Sequence, residues 1–244
     1  MPPIGDLPCR GKMVRAIDMR HRDLAIYDMD KTITRVATWT PFLRHAARER
    51  GPMAWWLLPV AGAAVAGYAL RLYGRDRLKE MTHRLILGRA VAGDRLADSA
   101  RAFAQATVAG GLLAGARERI EKDRGEGRML VMATASYRFY AQEIAELLGF
   151  DAVIATESAR CDAGNVLSRI DGENCYGAAK LRAIEAWTTA QGIVRSDVAV
   201  RFYSDHVSDA PVFEWADEAF AVNAHPPLRT LAKRRGWPVL DWRG

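Results

Sequence analysis

Leu24-Ala25-Ile26-Tyr27-Asp28-Met29-Asp30-Lys31-Thr32 is the stretch on which the fold turns. Four apolar residues run without a break and stop at an acid, the pattern of a strand buried on both faces of a parallel sheet. Asp28 and Asp30 alternate just past the strand's carboxyl end, where open α/β sheets bind ligands. Alone, D-x-D-x-T is a weak motif that an ordinary acidic turn also carries.

The next run of the same kind is Met129-Leu130-Val131-Met132-Ala133. From there, strands and helices alternate quickly. An amphipathic helix over 137–148 stops at Gly149, and a strand follows at 152–155. Residues 161–174 read as a hairpin, with turns at Asp162-Ala163-Gly164 and Asp171-Gly172. Then come a helix over 178–190, a strand over 198–203, a helix over 211–216 and a strand over 219–222. A helix over 228–235 ends at Gly236, before a last strand at 239–240. The alternation predicts an α/β fold with a doubly wound, Rossmann-like parallel sheet.

Residues 36–122 differ. Thr40-Pro41 reads as a helix start, Gly51-Pro52 as its end; Gly74 and Gly88 punctuate further helices, and Asp94 is a candidate cap. The reading is a helical cap inserted after the first strand, over a core made of residues 1–35 and 123–244. The 244 residues, half of them hydrophobic, suffice for that arrangement.

The net charge of +6 favours anionic partners or simply a solvated basic surface. No nucleic-acid reader motif accompanies it, so no nucleic acid is expected. Three cysteines, Cys9, Cys161 and Cys175, without a C-x-x-C pair, argue against a disulfide framework or zinc site and fit a reducing cytoplasm. Met1–Arg22 lacks the apolar core of a signal peptide and reads as a poorly ordered leader.

Three further features join Asp28 and Asp30. The second core strand runs into Thr134-Ala135-Ser136, a hydroxyl and backbone amides suited to an anion, though also a plain helix cap. Lys180 lies near a helix start, an unfavourable place for a cation unless an anion answers it. The strand ending at Tyr203 runs into Ser204-Asp205-His206-Val207-Ser208-Asp209. Together these supply a nucleophile, an acid, oxygen ligands for a hard cation and donors for phosphoryl oxygens.

In this order the motifs resemble those of the haloacid dehalogenase superfamily, and the details are most similar to its phosphoserine-phosphatase-like subfamily. The resemblance spans Leu24 to Trp242 and includes Ala221-Val222-Asn223 and the run from Leu228 to Pro238. It departs at Lys31, where many relatives carry glycine, and at His206, where a small residue is common. The resemblance implies a phosphatase in which Asp28 is the nucleophile and Asp30 the general acid and base. It implies Thr134 and Lys180 on the phosphate, and Mg²⁺ held by Asp28, the Asp30 carbonyl and Asp205, with Asp209 behind them. Thr32 is expected to support the loop.

Substrate expectations rest on the cap. Gly51–Leu70 carries no charge and is flanked by Arg44, Arg48, Arg50, Arg71, Arg75, Arg77 and Lys79. A single membrane crossing would separate Asp28 from Thr134 and Asp205. The stretch is therefore either the core of a soluble cap or an interfacial element on an anionic membrane. Trp39, Phe42-Leu43-Arg44, Pro59 and Tyr73-Gly74-Arg75 resemble, more weakly, phosphatidylglycerophosphatase C-type enzymes, which implies a phosphorylated lipid at the inner face of the membrane. A soluble monoester such as phosphoserine stays open, as does a non-catalytic phospholigand-binding protein.

Overall fold

The computed structural model describes residues 22–51 and 56–243. The expected leader, apart from Arg22, and Pro52–Trp55 of the apolar run lie outside the described residues. β1 (Leu24–Tyr27) is followed by α1 (Trp39–Glu49), α2 (Leu58–Ala69), α3 (Arg75–Ile86), β2 (Ala90–Val91), α4 (Gly93–Gly110) and α5 (Ala114–Gly125). Then come β3 (Met129–Tyr137), α6 (Arg138–Leu147), β4 (Ala152–Arg160), β5 (Val166–Asp171) and α7 (Ala178–Ala190). The chain closes with β6 (Val200–Ser204), α8 (Ala210–Trp215), β7 (Glu218–Val222), α9 (Pro226–Arg235) and β8 (Val239–Leu240).

The sheet order is β2-β5-β4-β3-β1-β6-β7-β8. The six strands from β4 through β8 pair in parallel, and β5 and β2 add an antiparallel edge. β1 is central, and all four of its residues are fully buried. Ala25 and Tyr27 join the apolar cluster containing residues of α1, α4 and α6; Leu24 and Ile26 join the one under α7, α8 and α9. Successive side chains thus feed opposite layers, as a doubly wound sheet requires.

β4, β2 and α1 are among the elements that differ from the sequence expectation. β4 pairs with β3 as far as Thr156, then with β5 from Glu157, so the hairpin lengthens it to Arg160. The insertion is not wholly helical, because β2 covers β5's otherwise open edge. α1 begins at Trp39 with Thr38 as its cap rather than Thr40, because the Asp30 carboxylate accepts the Thr38 N–H at 2.8 Å.

α3 is tied to the core. Asp76 accepts from Asn174 Nδ2 at 2.6 Å, Lys79 Nζ donates to Ala135 O at 2.7 Å and to Asn174 Oδ1 at 3.0 Å, and Glu80 accepts the Ile170 N–H at 3.0 Å. α4 lies along α6, and Asp123 of α5 accepts from the Tyr27 hydroxyl at 2.5 Å. α2 packs chiefly on α3, leaving Val60 and Val65 in solvent, and Trp56 just before it is exposed too. In the described residues the apolar run is therefore not the buried core of a cap. Among them, no helix is long and apolar enough to cross a membrane.

Candidate active site

β1, β3 and β6 direct their carboxyl ends to one edge of the sheet. Past them stand Asp28 and Asp30, Thr134, and Asp205, and a 3-10 turn over Val207–Asp209 brings Asp209 back to the same edge. β3 loses its register with β4 between Thr134 and Tyr137. Such a bulge re-aims side chains at a sheet rim. α7 starts from Gly177 at φ 61° and ψ −131°, a conformation that favours glycine, and this start delivers Lys180 one turn later. All six predicted site residues line one cavity of about 270 Å³.

Lys180 is the electrostatic centre. Its Nζ donates to Asp28 Oδ1 at 2.8 Å and to Asp209 Oδ2 at 2.6 Å, with all three residues buried. Ser204 Oγ also donates to Asp209 Oδ2, at 2.7 Å. Burial works against the Lys180 charge, but Asp209 and Asp28 overrule it and hold the ammonium well above the usual lysine range. Burial pushes the Asp28 carboxyl up to about 8, with Lys180 pulling it down and Asp209 and Asp205 adding to the rise. Burial likewise raises Asp205 to about 6, against Lys31.

Asp30 is held rigidly. Its Oδ1 accepts from Thr38 N and, at 2.7 Å, from Thr38 Oγ1; its Oδ2 accepts from Ser136 Oγ at 3.0 Å. Thr134 Oγ1 accepts the Ser136 N–H at 3.1 Å, which shapes the turn beside it. Thr32 Oγ1 faces Asp28 Oδ2 at 3.4 Å, in the expected supporting position.

The two departures from the familiar motif have local explanations. Lys31 sits at φ 61°, where glycine is free and a side chain is strained. Asn223 Nδ2 donates to its carbonyl at 3.1 Å and helps hold that turn. His206 Nδ1 accepts the Ser208 N–H at 3.1 Å, and its ring stacks on His225 at 4.2 Å. His225 Nδ1 in turn lies 2.9 Å from the Asp205 carbonyl, so the pair braces the loop that carries Asp205.

Sequence reasoning missed the work of Thr38, Asn174, Tyr176 and Lys79. The Arg75 guanidinium lies 4.0 Å over the Tyr176 ring, and both line the cavity. Lys79 is buried, and burial pulls its pKa down to about 7 against Asp76 and Asp30. The one signal in the sequence is that Thr38, like Thr40, is a capping residue type before an apolar helix.

Among the described residues, no group of three His, Cys, Asp or Glu side chains is placed to enclose a metal. The cavity lining nevertheless includes the carboxylates of Asp28, Asp30, Asp205 and Asp209, beside the Lys180 ammonium and the His206 ring. Asp209 Oδ1 is buried there without a hydrogen-bond partner. Carboxylate oxygens of this kind suit a hard cation that keeps several waters, as Mg²⁺ does.

The family profile of the haloacid dehalogenase-like hydrolases matches residues 25–214. Phosphoserine phosphatase SerB1 of Mycobacterium tuberculosis is 25% identical over 230 residues, 90% of this chain and 70% of that protein. The "Inhibition of morphological differentiation protein" of Streptomyces azureus is 34% identical over 123 residues, and that match spans 50% of this chain and only 43% of the relative. A crystal structure of a protein of unknown function from Bordetella pertussis Tohama I superposes with a TM-score of 0.82 at 25% identity, covering 91% of this chain and 99% of that one. A substrate-bound phosphoserine phosphatase shares the fold at a TM-score of 0.60 and 17% identity, covering 90% of this chain and 92% of that one. Site, fold and profile agree that the chain belongs to the haloacid dehalogenase-like hydrolases.

Proposed function

We propose that the chain is a Mg²⁺-dependent phosphomonoester hydrolase working through an aspartyl-phosphate on Asp28. The observation that carries this is Lys180, bridging Asp28 and Asp209 at the floor of a cavity that Asp30, Thr134 and Asp205 also line. An Asp28 carboxylate oxygen attacks phosphorus, and the bond to the leaving oxygen breaks. Asp30 acts as the general acid and delivers a proton to that oxygen. Water then attacks the aspartyl-phosphate, Asp30 takes the water's proton, and inorganic phosphate leaves with Asp28 restored. Lys180 and Thr134 donate to the phosphoryl oxygens as charge shifts onto them. Asp28, Asp205 and the Asp30 carbonyl would hold Mg²⁺, with Asp209 orienting Lys180 and bound water. The ion would neutralise phosphoryl charge.

In this reading residues 36–122 are the cap over a core of residues 1–35 and 123–244, with α3 as the roof. The substrate is a phosphorylated lipid such as phosphatidylglycerophosphate, which the exposed apolar α2 favours, and the enzyme is cytoplasmic and peripheral at the inner face of the membrane. The small cavity favours a second reading, a soluble metabolite such as phosphoserine. The test is phosphate release from detergent-dispersed phosphatidylglycerophosphate and from phosphoserine, with Asp28→Asn as blank and with EDTA followed by Mg²⁺. Metal-restored release that the blank lacks supports the mechanism, and the preferred substrate chooses between the readings. Release by Asp28→Asn at the wild-type rate refutes the nucleophile, and full activity after chelation refutes the metal. Binding of both compounds without turnover makes the chain a non-catalytic phospholigand protein.

A further inference from the structure

The chain around α2 combines exposed apolar side chains with an excess of cations. Trp56, Val60, Val65, Leu70 and Leu72 are all exposed, Trp56 to 80% and both leucines to 72%. They make up most of the large exposed hydrophobic residues among the described ones. Tyr73 turns its hydroxyl back onto the Ala64 carbonyl, and a Cβ at Gly67 would meet that hydroxyl at 2.7 Å. The turn from α2 into α3 is therefore a packed corner that holds α2 in place.

Charge is distributed with the same bias. Residues 31–75 contain seven cations, Lys31, Arg35, Arg44, Arg48, Arg50, Arg71 and Arg75, and a single acid, Glu49. The rest of the chain holds 28 cations and 28 acids, so the whole net charge of +6 belongs to this segment. Arg75 lines the catalytic cavity only three residues beyond Leu72. A chain of three residues reaches at most about 11 Å, so the apolar edge begins beside the mouth of the site.

We infer that α2 and the corner leading into α3 dock the enzyme on an anionic phospholipid surface, with the mouth of the Asp28 cavity turned toward it. The 12 residues of α2 make a helix about 18 Å long, too short to span a bilayer; the helix itself is uncharged, and the cations that would meet headgroups flank it in sequence. Trp56 supplies the amphipathic ring that settles at such a boundary. A second copy of the chain would bring the same positive segment against itself, whereas anionic headgroups complement it. The docking itself does not depend on the proposed chemistry; only the delivery of a lipid phosphomonoester to Asp28 rests on it.

The test is sedimentation of the full chain with vesicles of pure phosphatidylcholine and of phosphatidylcholine and phosphatidylglycerol in equal parts. Binding to the anionic vesicles, weakened by salt, is expected. The combined variant Trp56→Ser, Val60→Ser, Leu70→Ser, Leu72→Ser should lose at least about tenfold in affinity, since four apolar side chains then stay in water. Arg44→Gln with Arg48→Gln and Arg71→Gln should remove the preference for anionic vesicles. Circular dichroism and hydrolysis of a soluble aryl phosphate report whether each variant keeps its fold and site, and Asp28→Asn should sediment like wild type whatever its activity. Three outcomes overturn the inference: no binding to either vesicle, binding that the folded serine variant retains in full, or a wild-type dimer that the serine variant converts to monomer without affecting vesicles.

Discussion

Replacing Lys180 with methionine keeps the stem of the side chain and removes its ammonium. Lys180 is 1% exposed, Asp28 7% and Asp209 2%, so no solvent stands ready to take over the two hydrogen bonds of 2.8 and 2.6 Å. Losing one partner of a buried ion pair costs about 3–5 kcal/mol, because the remaining charge is left unpaired. For a chain of 244 residues that is a fall of roughly 6–20 °C in Tm. The cost should depend on pH. Burial already raises Asp28 to about 8 against the pull of Lys180, so without the lysine a carboxyl takes up a proton more readily. Protonation relieves the unpaired charge, so the loss should be smaller near about pH 6 than near about pH 8.5, growing as pH rises through about 8. Urea unfolding of both proteins in EDTA at the two pH values measures it. The double variant Lys180→Met, Asp28→Asn should recover about 1–3 kcal/mol at the higher pH, since one unpaired carboxylate is gone. A loss below about 1 kcal/mol at both pH values, or one larger at low pH, would refute the reasoning.

Other perturbations test separate parts of the structure. In EDTA, wild-type stability should fall as pH climbs from the ordinary carboxylate range through about 8, because a raised Asp28 carboxyl binds more protons folded than unfolded; Asp28→Asn should flatten that slope in urea titrations. Asp123 accepts from Tyr27 at 2.5 Å, Tyr203 at 3.0 Å and Arg201 at 2.8 Å while fully buried, so Asp123→Ala should cost about 3–5 kcal/mol in urea unfolding, with a similar value for Asp123→Leu. Asn174→Leu cuts the ties to Asp76, Lys79 and Thr156 and should cost about 2–3 kcal/mol; because those ties seat α3 over the cavity, KM should rise more than kcat falls.

What the sequence determined by itself is whatever a local pattern encodes. The unbroken apolar run Leu24–Tyr27 required a strand covered on both faces, and its acids had to stand at the strand's carboxyl end. Lys180 near a helix start pointed to an anion only in company with the other motifs, and the Asp171-Gly172 turn marks the boundary of the hairpin strand. The boundaries of α7 and β8 were legible for the same reason, since periodicity and turn chemistry act over a few residues. Tertiary structure decided what depends on pairs distant along the chain. Thr38 and Ser136 meet on Asp30, Asn174 links Asp76 and Lys79 to Thr156, and Asp123 gathers Tyr27 and Tyr203. No local pattern signals such a partner, because a buried polar group is satisfied by whatever the packing of separate layers brings within hydrogen-bond reach. The same holds for α2. Its apolar letters fit a buried helix and an interfacial one equally, and only its position, leaning chiefly on α3, left that surface to the solvent.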